Sequence, residues 1–298
     1  MRHSPRLQKI ILVLLSLLVI TGGMPGLVTA QAPPSYPPDE LDKLVSRIAL
    51  YPDPLLAQVL AAATYPDQIP DAAKWADEHH YLRGDDLARA ITEDHLPWDA
   101  SVQALLPFPS VLEMMASDMN WTSELGNAFL AQQQDVMDAV QRMRQKAKDY
   151  RYLQSNGQVV VSATGSYITI LPVNPAFICV PVYDPGIVFF APAPGFFVGG
   201  AIGWGFGISL GFAFAPWGWG ATHFVWGSHA LFLGGARWGR TWANRGSYVH
   251  PYANFHRYSG PRGPEQHQLI PRSQEERRAA REGHARVESH HASPERRR

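Results

Sequence analysis

Residues 201–220 read AIGWGFGISLGFAFAPWGWG, and the reading of this stretch decides the architecture of the second half of the chain. From Ala201 to Ala215 every odd position is small. The even positions are Ile202, Trp204, Phe206, Ile208, Leu210, Phe212 and Phe214. Alternation of period two marks a strand with one apolar face, and Ile, Trp and Phe favour extended backbone. One strand over all these positions would exceed the usual length of about 3–10 residues, so a bend or break at a glycine is expected. The competing reading is a membrane helix. Gly199, Gly203, Gly207 and Gly211 fall four apart, as close helix packing in lipid would use. Residues 196–215 are uncharged and match the roughly 20 residues needed to span a bilayer. Against that helix stand its many glycines, each costing about 1 kcal/mol relative to alanine. The strand fits better and the helix stays open. On either reading the seven even-numbered residues are the candidate interaction surface, because so much apolar surface needs a partner.

The stretch lies in a zone, residues 185–236, without Asp, Glu, Lys or Arg, in which only His223 and His229 can carry charge. Charge is distributed unevenly around it. Residues 31–236 hold 10 Lys+Arg against 20 Asp+Glu, whereas residues 237–298 hold 13 Arg against 6 Glu. An acidic body with a basic tail points to a tail that meets something anionic, such as lipid headgroups or an acidic surface.

Residues 1–30 have the layout of an export signal, a signal peptide to be removed from the mature chain. Arg2, Arg6 and Lys9 precede an apolar run from Ile10 to Ile20, and Val28-Thr29-Ala30 resembles a cleavage site before Gln31. The expected address is therefore periplasmic or envelope-associated, with residues 196–215 as the candidate anchor. Only one cysteine is present, Cys179, so no internal disulfide is available and the fold must rest on an ordinary core. In FICVPVY it reads as a small buried hydrophobe rather than a reactive thiol.

Residues 31–38 (QAPPSYPP) form a proline-rich leader, expected to be extended and unfolded. Residues 39–153 then read as a bundle of short helices. Asp39, Asp53, Asp85, Asp99 and Asn120 stand at the expected starts, where a short polar side chain accepts from free amides of the first turn. The last helix is expected to be one long element over about 123–153, with Leu125, Phe129, Val136, Val140, Met143, Ala147 and Tyr150 as its apolar stripe. Arg142, Arg144, Lys146, Lys148 and Arg151 are expected to form a solvated basic end. Residues 158–183 contain VVVSA, YITILPV and FICVPVY, rich in β-branched and aromatic residues, and predict a three-stranded antiparallel meander. The fold class is thus α+β: helical bundle, small β meander, Gly/aromatic segment over 191–257, and a disordered basic tail over 258–298.

Several ordered blocks in this stretch are familiar. ALYPDPLLAQVLAAATYP, WDASVQALLPFPSVLEMM, NWTSELGNAFLAQQQDVMDAVQRMR and PVNPAFICVPVYDP together resemble the bacterial domain-of-unknown-function 3300 family, from about Leu41 to Pro185. The family domain is accordingly placed at 39–190. The later WANRGSYVHP is similar to the segment C-terminal to the domain in some members. The resemblance implies an exported Gram-negative envelope protein with no established activity, and it supplies no catalytic residues.

Known chemical motifs are sparse. No GxSxG elbow surrounds Ser228-His229. Glu78-His79-His80 lacks the HExxH spacing, and adjacent histidines diverge by about 100° on a helix. Asp85-Asp86 and Glu93-Asp94-His95 flank one short helix and read as its ends before they read as an acid/base pair. His250, His256, His267, His284, His290 and His291 are irregularly spaced, as in weak metal capture. No catalytic residue, metal ligand or cofactor is nominated. The expected protein is a non-enzymatic envelope interaction or scaffold protein, partnered by membrane lipid, another envelope protein or a second copy; export argues against nucleic acid. The alternatives are an enzyme acting on an envelope polymer through acidic residues, and a periplasmic metal buffer.

Overall fold

Prolines open most of the helices. Pro38, Pro54, Pro70 and Pro109 occupy the first turns of α1 (Pro38–Val45), α2 (Asp53–Ala63), α3 (Ile69–Glu78) and α6 (Pro109–Ser117). A missing N–H costs nothing there, because first-turn amides have no helical acceptor. The computed structural model describes residues 31–192 and 199–252. The expected signal peptide and the tail from residue 258 lie outside the described residues. The remaining helices of the bundle are α4 (Gly84–Glu93), α5 (Ala100–Gln103), α7 (Met119–Ala131) and α8 (Gln133–Asp149). Asp99 caps α5 by accepting from Ser101 N–H, as its position predicts. At α7 the cap is Asp118, which accepts from Trp121 N–H, and Asn120 lies inside the helix. Asp53 and Asp85 also lie inside their helices and make no capping bond.

Helix α2 is the centre of the molecule. Every one of its residues except Pro54 is buried, as expected of a helix that is apolar on all sides. It packs against α5 and α7 on one side and against three strands on the other, β2 (Tyr167–Pro172), β7 (His223–Val225) and β8 (Ala230–Leu233). Its closest neighbour is α7. A methyl group on Gly126 would lie 1.9 Å from the Ala63 carbonyl oxygen, so only glycine lets the two backbones cross.

The expected single helix over 123–153 is two. Gln132 leaves the helical region (φ −138°, ψ 48°) and separates α7 from α8. The apolar stripe survives the break: Leu125, Phe129, Val136, Val140, Met143 and Ala147 are all buried. The basic end is not solvated throughout, because Arg144 is fully buried.

Strand β1 (Val159–Thr164) pairs with β2 in an antiparallel hairpin. The third strand does not extend this hairpin into the expected meander. Instead β3 (Phe177–Ile178) and β4 (Pro181–Tyr183) run outward, a short turn of helix α9 (Pro185–Val188) comes next, and β5 (Ile202–Trp204) and β6 (Ile208–Ser209) return alongside. β4 pairs with β5 and β3 with β6, both antiparallel. Prolines 172 and 181 explain the parting, since neither has an N–H to donate to a further neighbour.

The tryptophan-rich residues after β6 fold back onto the helices. Phe212–Trp217 and Trp219–Ala221 form 3₁₀ turns, and β7, β8 and β9 (Ala236–Arg237) form a small sheet. Three of the buried indoles that dock here find acceptors. Trp217 Nε1 donates to Gln103 Oε1 (3.1 Å), Trp219 Nε1 to the Ala104 carbonyl (3.1 Å) and Trp226 Nε1 to Asp53 Oδ2 (3.1 Å). Burial of the large ring with its one polar atom satisfied makes these indoles the fasteners between segment and bundle.

Candidate functional site

The alternating stretch resolves into short strands and 3₁₀ turns from residue 199 onward, not a membrane helix. Among the described residues no helix is long and apolar enough to cross a membrane. The strand breaks at a bulge. Between the two paired segments, Cys179 and Val180 on the outgoing side face Gly205, Phe206 and Gly207 on the return. One residue in excess on one strand is a β-bulge, which bends the strand and re-aims a side chain. Gly207 allows it, for a methyl there would press within 3.0 Å of Phe177 Cβ.

The bulge divides the seven candidate residues. Leu210 and Phe214 are buried in the protein's own core. Ile202, Trp204 and Ile208 are half-buried against it. Phe206, which strict alternation would place beside Trp204 and Ile208, is turned out of the bulge and is 100 % exposed. Phe212 comes after Gly211, whose φ of +54° redirects the chain, and is 98 % exposed. Val182, 73 % exposed, stands opposite Gly203 on the outer face of the ribbon. The seven residues therefore do not make one face. Two aromatic tips face solvent and the others hold the ribbon down. Cys179 is buried beneath the bulge, and desolvation pushes its thiol up from the ordinary value.

The ribbon is tied to the bundle by Tyr183, whose hydroxyl donates to the Ser46 carbonyl (2.8 Å) and accepts from Leu50 N–H (3.4 Å). Burial raises this phenol well above its ordinary value. Beneath it lies a buried ion pair that sequence reasoning missed. Arg144 Nη1 sits 2.6 Å from Asp53 Oδ1, and the same guanidinium donates to the carbonyls of Ala49, Tyr51 and Ile168. Asp53 also accepts from Ile170 N–H and Trp226 Nε1. One pair thus joins α2, α8, β2 and the tryptophan segment. A signal existed: Val136, Val140 and Arg144 stand four apart, on the buried side of the helix.

The other residues with chemical potential have structural partners. Trp75 Nε1 donates to Asp94 Oδ2 (2.7 Å), and the His79 ring stacks on Trp75 with centroids 3.9 Å apart. Asp86 pairs with Arg89 on the surface of α4. His229 Nε2 lies 2.8 Å from Asp138 Oδ1, joining the turn before β8 to α8. Ser228 is next to His229 in the chain, and its hydroxyl donates to the Val225 carbonyl. His250 is buried among Trp238, Tyr248 and Tyr252; the tail histidines from His256 on lie outside the described residues. Among the described residues no group of three or more His, Cys, Asp or Glu could hold a metal. A cleft of about 920 Å³ opens between the α7–α8 junction and residues 237–243, with His229, Trp238 and Trp242 on its walls.

These features define an α+β protein whose helical bundle is enclosed by a tryptophan-fastened β segment bearing two aromatic tips. The chain belongs to the family described as "Protein of unknown function (DUF3300)", whose model matches residues 37–249. That match includes the alternating stretch and the tryptophan segment. The chain is also similar to "Uncharacterized protein YacH" of Escherichia coli (strain K12), 32% identical over 201 residues. The match covers 57% of this chain and 32% of YacH, so the chain spans about a third of that relative's length. No solved structure matches the chain.

Proposed function

We propose that the protein is a non-enzymatic interaction or scaffold protein of the cell envelope, exported by residues 1–30 and attached to membrane lipid or another envelope protein through Phe206 and Phe212. The observation that carries this reading is the exposure of both phenylalanines, 100 % for Phe206 on the ribbon and 98 % for Phe212 just after it, with Val182 also exposed on the ribbon's outer face. Burying a phenylalanine contributes roughly 1.5–3 kcal/mol, so two free rings are a source of association energy that the fold itself leaves unused. Their surroundings suit an apolar partner, since residues 185–236 contain no Asp, Glu, Lys or Arg. The basic residues after 236 would add attraction to an anionic surface.

The test is fractionation of the native envelope with the parent chain and with Phe206→Ser/Phe212→Ser. The parent is expected in the membrane or large-assembly fraction and the variant in the soluble fraction, with the same thermal stability. Equal distribution of the two would overturn the proposal.

A further inference from the structure

The leader is extended, as its prolines predict, but it is held to the domain rather than free. Gln132, the residue that breaks the helix between α7 and α8, pairs its side-chain amide with both backbone groups of Tyr36. Tyr36 N–H donates to Gln132 Oε1 (2.6 Å), and Gln132 Nε2 donates to the Tyr36 carbonyl (3.2 Å). At the other end Trp242 Nε1 donates to the Gln31 carbonyl (2.8 Å). Between these anchor points Pro33 lies on the wall of the cleft with Leu130, Trp238 and Trp242. Pro37 has polyproline II backbone angles (φ −68°, ψ 160°).

The walls of this groove are fixed without the leader. Trp242 N–H donates to the Leu130 carbonyl (2.9 Å), which joins the two sides. The Arg245 guanidinium stacks 3.9 Å over the Trp242 ring and sets its orientation. An aromatic wall, an indole N–H aimed at a backbone carbonyl and an amide that reads main chain are the elements by which proline-rich segments are recognised. Such a segment arrives already extended and loses little entropy on docking. The leader supplies a matching ligand, Pro34-Ser35-Tyr36-Pro37, a P-x-x-P sequence.

We propose that the groove between Gln132 and Trp242 is a receptor for extended proline-rich peptide, held along one wall in this chain by its own residues 31–37 through the Gln31 and Tyr36 backbone, and able to take the same kind of segment in trans. The tethered leader acts as an internal competitor, present at an effective concentration on the order of millimolar. An outside segment gains the groove only when the leader is weakened or the outside segment binds more tightly. This surface is separate from the aromatic tips, and its failure would leave the envelope proposal standing.

The probe is a synthetic peptide of sequence QAPPSYPP, titrated against the full chain and against the full chain carrying Pro33→Ser/Pro34→Ser/Pro37→Ser, with tryptophan fluorescence as readout. Saturable binding is expected to the proline-less variant and at least about tenfold weaker binding to the parent. Adding Gln132→Ala to the variant should abolish the binding, and a peptide with alanine for every proline should not compete. A second readout uses the intact parent: Gln132→Ala should speed hydrogen exchange at the Tyr36 amide several-fold, since that N–H donates to Gln132 Oε1, while leaving the melting temperature of the body within a few degrees. No saturable binding by the variant, equal binding of the alanine peptide, or an unchanged exchange rate would each overturn the proposal.

Discussion

Asp53 and Arg144 form an ion pair closed to water, 2.6 Å apart, with neither side chain more than 5 % exposed. Each of the three guanidinium nitrogens has a partner among one carboxylate and three backbone carbonyls. The pair holds the first turn of α2, the last turns of α8 and strand β2 in one arrangement, and so sets the platform for the ribbon. Removing one partner from such a pair leaves a buried charge and costs about 3–5 kcal/mol. Arg144→Met and Asp53→Asn should each lower unfolding free energy in urea by about that amount. Their double variant should lose less than the sum of the two. A loss below about 1 kcal/mol for Arg144→Met would contradict this role.

Gly126 gives a prediction of opposite sign from helix propensity. In an exposed helix Gly→Ala gains about 1 kcal/mol. Here the new methyl would lie 1.9 Å from the Ala63 carbonyl oxygen, and the obstacle is backbone, which cannot swing aside. Gly126→Ala should therefore destabilise by about 1–3 kcal/mol or more, as overpacking does, through separation of α2 and α7. A raised melting temperature would show that the helices do not cross this closely.

Alkaline pH should unfold the protein through its tyrosines. Burial pushes the Tyr51 phenol up to about 12, against about 10 in an unfolded chain. Burial also raises Tyr183, Tyr65 and Tyr252. Between these limits the folded chain keeps protons that the unfolded chain releases. The associated stability is present in full below about pH 10 and is lost as pH rises toward the folded values. The slope is up to about 1.4 kcal/mol per pH unit for each tyrosine. Urea midpoints should be flat below about pH 9.5 as far as these groups are concerned and fall above it, with tyrosinate absorbance rising in step. Tyr51→Phe should make the fall shallower; an identical slope would remove Tyr51 from the account.

The helical bundle, the α+β class and the family were legible because they depend on signals local in sequence: proline and aspartate at helix starts, a repeating apolar stripe, and blocks of matching residues. The alternation was legible as strand for the same reason over residues 202–209, whereas Phe212–Trp217, where the alternation continues to Ala215, forms a 3₁₀ turn. The bulge was not, because it arises from two residues facing three, and the second strand of that comparison lies some 25 residues upstream. The fate of Asp53 was hidden in the same way. At a helix start its carboxylate reads as a cap, and only the fold brings Arg144 to it from α8. Arg144 stood among Arg142, Lys146 and Lys148, and composition made it one more solvated cation; the four-residue interval to Val140 was the better guide. Gln132 left no periodic signal at all, since its role is to end one helix and grip a segment 96 residues away.

The central claim is that Phe206 is a contact point and not an idle exposed ring. The most direct measurement places a photo-crosslinking benzoylphenylalanine at position 206 in living cells, with the same group at exposed Tyr81 as the reference. The account predicts an adduct to membrane lipid or to one envelope protein from position 206, lost when Phe212→Ser is added, and none from position 81. No adduct from position 206 above that from position 81 would contradict it.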